Sequence, residues 1–260
     1  MLRNLGNEGH QRVSTGIRSF GCEARRVERA ARARLKVVDE GEDYLVVDKP
    51  ADLVCHPTTG DEFSSLIARL RLYFIDQPQV SPHFVNRLDR ETSGLVLISK
   101  GNHKALCQAF ESAQKVYWAI VYGWPEQDEG LIEAPLGPLR GSLVRLKQGV
   151  VAEGKPAATA WKVLQRLPGN KSLLEARPLN GRMHQIRVHL SYFGHSVVGD
   201  KIYGPDESFF VEALDHGWTD RLEQQLGVRR HLLSALELHM PGHHWRVDAP
   251  DDIRSYLSGF

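Results

Sequence analysis

Arg87-Leu88-Asp89-Arg90-Glu91-Thr92-Ser93-Gly94-Leu95-Val96-Leu97-Ile98 sets one carboxylate between two arginines immediately ahead of an apolar strand. An opposite charge within about 4–6 Å lowers a carboxyl pKa, so flanking guanidinium groups favour the ionised aspartate at neutral pH. An anion on a rigid support is a candidate nucleophile or acid/base. Taken alone, the segment reads more simply as a surface turn whose aspartate is solvated by its arginines. The rest of the chain has to decide between the two.

Working outward, Gly94–Ser99 reads as a strand, and Asn102 to Ala113 as a helix with Asn102 as N-cap and Ala105, Leu106, Ala109 and Phe110 as its apolar stripe. Upstream, Leu35–Val38 and Tyr44–Val47 are two short strands around a polar turn, and Leu66, Ile67, Leu70 and Phe74 put one apolar face on a helix over Ser64 to Phe74. Downstream, Val116–Tyr122, Ala158–Leu167, Ser172–Ala176, Leu232–His239 and Trp245–Val247 are strand candidates. Glu133 to Pro156, rich in glycine and proline, reads as an extended loop or irregular hairpin offering Arg140, Arg145 and Lys147 to phosphates. Strands and helices without regular βαβ alternation point to an α+β fold with a mixed, largely antiparallel sheet and flanking helices.

A second constellation lies about ninety residues on: Gly181-Arg182-Met183-His184-Gln185-Ile186-Arg187-Val188-His189-Leu190, then Gly194-His195-Ser196-Val197-Val198-Gly199-Asp200-Lys201-Ile202-Tyr203-Gly204. With Lys115-Val116-Tyr117-Trp118-Ala119-Ile120-Val121-Tyr122-Gly123, Val46-Val47-Asp48-Lys49-Pro50, Gly154-Lys155-Pro156-Ala157-Ala158-Thr159 and His231-Leu232-Leu233-Ser234-Ala235-Leu236, these segments in this order resemble the RluA family of RNA pseudouridine synthases. The resemblance covers roughly residues 35 to 250 and implies that family's catalytic fold around a central RNA-binding cleft. It implies Asp89 as the catalytic carboxylate, Tyr117 against the target uracil, and Arg187 paired with the aspartate. Arg87 is the expected occupant of the space left by an extruded nucleotide, and Arg90, Lys115, Arg182, His184 and Gln185 are further RNA-binding or site-support candidates. The chain departs from the pattern at Asn86, where the family commonly has His, at Asn180 and Met183 in place of two threonines, and at Ser196 in place of Pro. Asn86 in particular bears on substrate contact, since Asn and His offer different donor and acceptor geometry. If Met183 to Phe193 is a helix closed by Gly194, His184, Arg187 and Ser191 share one side while Ile186, Leu190 and Phe193 share the packing side.

The implied activity isomerises a uridine to pseudouridine in structured RNA, ribosomal or transfer, with no metal or organic cofactor. Two other classes remain: an RNA-binding or remodelling protein of the same fold, and a nucleoside or glycoside hydrolase. A hydrolase needs a second carboxylate roughly 5–10 Å from the first, and none is evident in these motifs. Metal is not expected either. His184 and His189 do not converge on a helix, and His243-His244 adjoin a hairpin.

The 260 residues, 42% hydrophobic and 25% charged, suffice for one catalytic domain with a sizeable core. No apolar run approaches the roughly twenty residues of a membrane-spanning helix, and Met1 to Gly21 lacks a signal-peptide core. Cys22, Cys55 and Cys107 have no metal or disulfide spacing, which fits a reducing cytoplasm. The net charge of +1 hides an asymmetry: residues 1–37 hold nine basic against three acidic side chains, +6, leaving about −5 for the remainder. Residues 1–34 therefore read as a basic arm and 35–260 as the catalytic domain, with no room for an S4-type RNA-binding domain. The expected state is a monomer without an obligate protein partner.

Overall fold

The computed structural model describes residues 34–57 and 65–258. The basic arm, apart from Arg34, lies outside the described residues, as does Cys22.

The core is organised by β4 (Ser93–Ser99), the strand that follows the Asp89 turn, and every one of its residues is buried. Successive side chains of a strand point to opposite faces, so Leu95 and Leu97 enter one cluster with Ile120, Leu173, Leu236 and Ile253, while Val96 and Ile98 enter another with Leu45, Leu66 and Leu70. Both faces are covered, which is why the strand reads as a continuous apolar run. Around it a ten-stranded sheet runs β1 (Lys36–Glu40), β2 (Tyr44–Lys49), β4, β11 (Leu233–Met240), β5 (Gln114–Tyr122), β10 (Lys171–Pro178), β9 (Ala158–Leu167), β6 (Glu129–Glu133), with β3 (His83–Phe84) added to β4 and β12 (His243–Arg246) to β11. Among the strand pairs of the described residues only β4–β11 is parallel, at Ser93 with Ser234 and Gly94 with Ala235. The sheet is therefore mixed and largely antiparallel, and the α+β expectation holds. At this junction Gly94 has φ +111°, and a Cβ there would lie 2.0 Å from the Ala235 carbonyl oxygen. Only glycine lets the two central strands approach so closely.

Six described helices flank the sheet: α1 (Leu66–Tyr73), α2 (His103–Glu111), α3 (Gln185–Tyr192), α4 (Ser208–His216), α5 (Asp220–Leu226) and α6 (Asp251–Leu257). Asn102 caps α2 as expected, its side chain accepting from the Ala105 N–H, and Ser65 does the same for α1. Helix α1 packs on the β2–β4 half of one face and α3 on the β5–β10 half, through Ile186 and Leu190. Tyr117 of β5 packs against both clusters. The Glu133–Pro156 segment is the irregular hairpin expected, built from β7 (Leu136–Pro138) and β8 (Gln148–Val150). Helices α4 to α6 and strands β3 and β6 carry no motif strong enough to have been read from the sequence. The α3 expectation needs correction. Met183 precedes the helix and is 49% exposed, His184 is its N-cap in the left-handed region (φ 57°), and Phe193 is a half-exposed C-cap against Trp161 and His195 rather than a core residue.

Candidate active site

Between the two halves lies a cleft of about 570 Å³ whose lining includes Asn86, Arg87, Asp89, Lys115, Tyr117, Arg182, Met183, His184, Gln185 and Arg187. Three of the sequence motifs thus meet in one cavity.

The turn that presents Asp89 is fixed from several directions at once. Asn86 donates from Nδ2 to the Leu95 carbonyl and accepts from the Leu97 N–H, clasping the backbone of β4 with both ends of its amide. Both ends of the Asn86 amide are thus engaged with backbone. Lys49, fully buried, donates from Nζ to the carbonyls of Pro50, Leu53 and Arg90. Burial brings its pKa down to about 8, against opposing help from Cys55 and Asp89. Glu91 accepts from Lys201 Nζ at 2.7 Å and from the His231 N–H at 3.0 Å, and Thr92 Oγ1 pairs with His231 Nε2 at 2.7 Å.

Arg187 is 4% exposed and its guanidinium is divided between two carboxylates. Nη1 donates to Asp89 Oδ2 at 2.9 Å, while Nε and Nη2 donate to the two oxygens of Asp200 at 2.7 Å each. Asp200 also accepts from the N–H groups of Ile202 and Tyr203. Burial pushes the Asp89 carboxyl up, but Arg187, with smaller contributions from His184 and His231, outweighs it and leaves the pKa below the ordinary value. Asp89 is thus an anion at neutral pH with 26% of its side chain exposed. The charge comes from the arginine that the resemblance implied and not from the two that flank Asp89 in sequence. Arg87 and Arg90 are exposed and make no ion pair with Asp89; Arg187, ninety-eight residues away, supplies the charge. For Asp200, burial raises the carboxyl and Arg187 more than reverses it. Being fully buried and engaged at both oxygens, Asp200 cannot serve as the second carboxylate of a hydrolase.

Tyr203 ties these parts together. Its ring lies 4.9 Å from the Arg187 Cζ, its carbonyl accepts from Ser191 Oγ, and its phenol oxygen accepts from the Gln148 N–H. The phenol is 2.8 Å from His184 Nδ1. His184, Arg187 and Ser191 do share one side, and Tyr203 is what that side meets. Burial lowers the His184 pKa, with Asp89 opposing, so the ring is neutral at neutral pH. With its oxygen accepting from Gln148, the phenol can donate its proton to His184 Nδ1, an arrangement in which the imidazole proton sits on Nε2. That nitrogen faces Asp89 Oδ1 at 3.8 Å, beyond direct hydrogen-bond range.

The remaining expected residues divide. Tyr117 lines the cleft, with its phenol pKa raised by burial and then by Asp89, and no hydrogen bond to its hydroxyl occurs among the described residues. Lys115 lines the cleft over the Phe110 ring, while Arg182 is exposed with Nε bonded to the Pro156 carbonyl. Gln185 is 4% exposed, its amide bonded to Ala158, Thr159 and the Arg182 N–H, so it supports the site from within. Arg90 is exposed and is not among the residues that line the cleft. Lys147 is drawn into an ion pair with Glu207, leaving Arg140 and Arg145 as the exposed cations of the β7–β8 hairpin. Lys49, Glu91, Asp200, Tyr203 and His231 were not singled out from the sequence, although each sits inside a quoted motif. Charged residues in motifs whose neighbours are apolar were the available signal.

The sequence and the fold have counterparts among known proteins. Residues 43–192 match the family model described as RNA pseudouridylate synthase. An uncharacterized RNA pseudouridine synthase of Synechocystis is 36% identical over 180 residues, 65% of this chain and 54% of that protein. A ribosomal large subunit pseudouridine synthase D of Zymomonas mobilis is 38% identical over 181 residues, 65% of this chain and 56% of that protein. The solved structure of human RNA Pseudouridylate Synthase Domain Containing 1 superposes with a TM-score of 0.59 at 26% identity, covering 86% of each chain. The chain spans about half the length of these curated relatives. It belongs to the RNA pseudouridylate synthase family, on the RluA branch.

Proposed function

We propose that this protein isomerises a uridine of structured RNA to pseudouridine, with Asp89 as the catalytic carboxylate, Tyr117 against the uracil and Arg187 holding Asp89 ionised and oriented. The observation that carries the reading is an ionised carboxylate, open to a cleft, fixed by a buried arginine and facing a tyrosine that lines the same cleft. Folding alone has no use for that set, which argues against a protein that only holds RNA. In the reaction the C1′–N1 bond breaks, the uracil turns within the site, C5 bonds to C1′, and the proton leaving C5 is balanced by one gained at N1. Asp89 serves this by attacking C1′ or by assisting elimination across the sugar. Neither route needs a metal or cofactor. Reaching both C1′ and C5 requires the uridine to leave its stack, at a few kcal/mol that is smallest in loops. Arg87 is suited to the vacated space, and Lys115 and Arg182 to phosphates; Arg90, outside the cleft lining, suits only flanking RNA. Within this reading residues 35–260 are the catalytic unit of a cytoplasmic monomer, and residues 1–34 add sequence-independent attraction to phosphate.

Because the relatives' names refer to the ribosomal large subunit, its RNA is the first substrate to assay, with transfer RNA second. RNA labelled with tritium at uridine C5 separates the classes: release of tritium with pseudouridine formation supports the reading, free uracil would indicate hydrolysis, and neither would indicate binding alone.

A further inference from the structure

The β11–β12 hairpin carries a cluster that the cleft chemistry does not use. Pro241 and Gly242 (φ +79°) form its two-residue loop, and that loop sets His239 directly opposite His244 and Glu237 opposite Arg246. Residues directly opposite and residues two apart lie on the same face of an antiparallel pair, so all four side chains share one face. One nitrogen or oxygen from each of Glu237, His239 and His244 lies within 4.8 Å of the others. Glu237 Oε2 is 3.1 Å from His239 Nε2 and 3.6 Å from His244 Nε2. The imidazole rings stack at 3.8 Å and 15°, so each must turn about its Cβ–Cγ bond to aim its in-plane lone pair at a shared ion.

We propose that these three side chains form a binding site for a divalent transition ion of the zinc class. Zinc bonds of about 2.0–2.1 Å in a tetrahedron require ligand atoms roughly 3.3 Å apart, and the two carboxylate–imidazole distances fall on either side of that value. The donor set, two imidazoles and one carboxylate, suits zinc and its neighbours and discriminates against magnesium and calcium, which take oxygen. Arg246 Nε lies 3.4 Å from the other carboxylate oxygen, Oε1, so it orients Glu237 while leaving Oε2 for the metal. The site is half-exposed, which leaves the fourth position to water. Sequence reading paired His243 with His244 as neighbours; the hairpin instead pairs His244 with His239.

None of the three ligands lines the cleft, which makes the metal a clamp on the fold. The same β11 strand, at its other end, places Leu233 in the cleft lining and Ser234 and Ala235 against the start of β4. Tying the free end of β11 to β12 stabilises the strand on which the Asp89 turn rests.

The test titrates full-length, metal-stripped protein with zinc by calorimetry at pH 7.5, with cobalt as a spectroscopic probe. The expected result is one equivalent of zinc bound, a visible cobalt spectrum of tetrahedral type, and a melting temperature raised by roughly 5–10 °C at zinc a hundredfold above its dissociation constant. His239→Gln and His244→Gln should each weaken binding by about tenfold or more, while Cys107→Ser keeps it. Far-UV circular dichroism verifies that each variant is folded, and Glu237→Gln provides an independent ligand deletion. Zinc binding of equal strength in wild type and in the His239→Gln/His244→Gln double variant, or no binding by wild type, overturns the proposal.

Discussion

The floor and the rim of the cleft handle charge in opposite ways. On the floor, Asp89, Arg187, Asp200, Glu91 and Lys49 are buried or nearly so, and each is bonded to fixed partners at 2.7–3.1 Å. On the rim, Arg87 and Arg182 are exposed, Met183 stands half in solvent, and among the described residues the Arg182 side chain makes a single 3.2 Å bond, to a carbonyl. Burying ions is expensive even when they are paired, so an arrangement of this kind stabilises the fold little and is useful where a charge must keep one position and one ionisation state. Exposed arginines on flexible stems suit the opposite task, meeting phosphates whose positions vary along an RNA. The contrast assigns reactivity to the floor and recognition to the rim, and each part can be attacked separately.

The largest effect expected is from Asp89→Asn, which keeps size and removes charge. Isomerisation should fall by about a thousandfold or more, with the circular dichroism spectrum and RNA affinity close to wild type. Substantial pseudouridine formation by a verified preparation of this variant would remove the floor from the chemistry altogether.

Next comes Arg187→Met. Asp89 lies below its ordinary pKa because Arg187 outweighs burial; without the guanidinium, burial prevails and the carboxyl pKa rises. The single-turnover rate, which requires the anion, should therefore be lower and its acidic limb should move to higher pH. Asp200 also loses the guanidinium bonded to both of its oxygens, and a buried carboxylate stripped of its partner costs about 3–5 kcal/mol, measurable by urea denaturation near pH 7. The sign with pH follows: both carboxyls are depressed in the wild type, so their stabilisation is present above the unfolded value and is lost as pH falls through the folded one. The variant's deficit should thus be largest near neutrality and shrink in acid. Little further loss of rate in the Asp89→Asn background is expected, since the two act as one unit. A near-normal rate with an unmoved acidic limb would instead make Arg187 a purely structural ion.

These two residues were legible in the sequence, and the reason is chemical. Asp89 and Arg187 stand in ordered polar motifs that the core does not require, and the period-two and 3.6-residue patterns were enough to place β4, β5 and α2. What escaped was most of what depends on three-dimensional proximity. The pairing of Asp89 with Arg187 came with the family resemblance, whereas the local pattern pointed to Arg87 and Arg90, which are exposed and form no ion pair with Asp89. Asp200 and Tyr203 were quoted as part of a motif without a role, because their partners lie 13 and 19 residues back, at Arg187 and His184. The start of α3 was misplaced for a related reason. Gln185 turns its side chain back to the Arg182 N–H and His184 takes a left-handed conformation, an N-terminus made by a local loop without any of the usual capping residues.

A smaller effect is expected from Tyr203→Phe, which keeps the ring beside Arg187 and removes the hydroxyl shared with Gln148 and His184. His184 then loses the donor that assigns its proton to Nε2. Two-dimensional NMR of ring-labelled histidine should report the Nε2–H tautomer in wild type and a mixture in the variant, with a single-turnover rate down about tenfold. An unchanged tautomer would mean that the chain from Tyr203 to Asp89 does not order the site.

The smallest effect, and the one that tests the rim, is expected from Arg182→Ala. The bond from the Arg182 backbone N–H to Gln185 survives the substitution, so the loop before α3 keeps its shape and only the exposed guanidinium is lost. If that group meets one phosphate, affinity should weaken by a similar factor for every RNA tested, and the slope of log K against log salt should become shallower by about 0.7–0.9. At saturating RNA the single-turnover rate and its pH profile should be those of wild type, because no floor residue has moved. A reduced rate at saturation with an unaltered salt slope would reverse the assignment: Arg182 would then act on the reacting nucleotide or on the α3 N-terminus, and the division between a fixed floor and an adaptable rim would have to be redrawn with Arg182 on the other side.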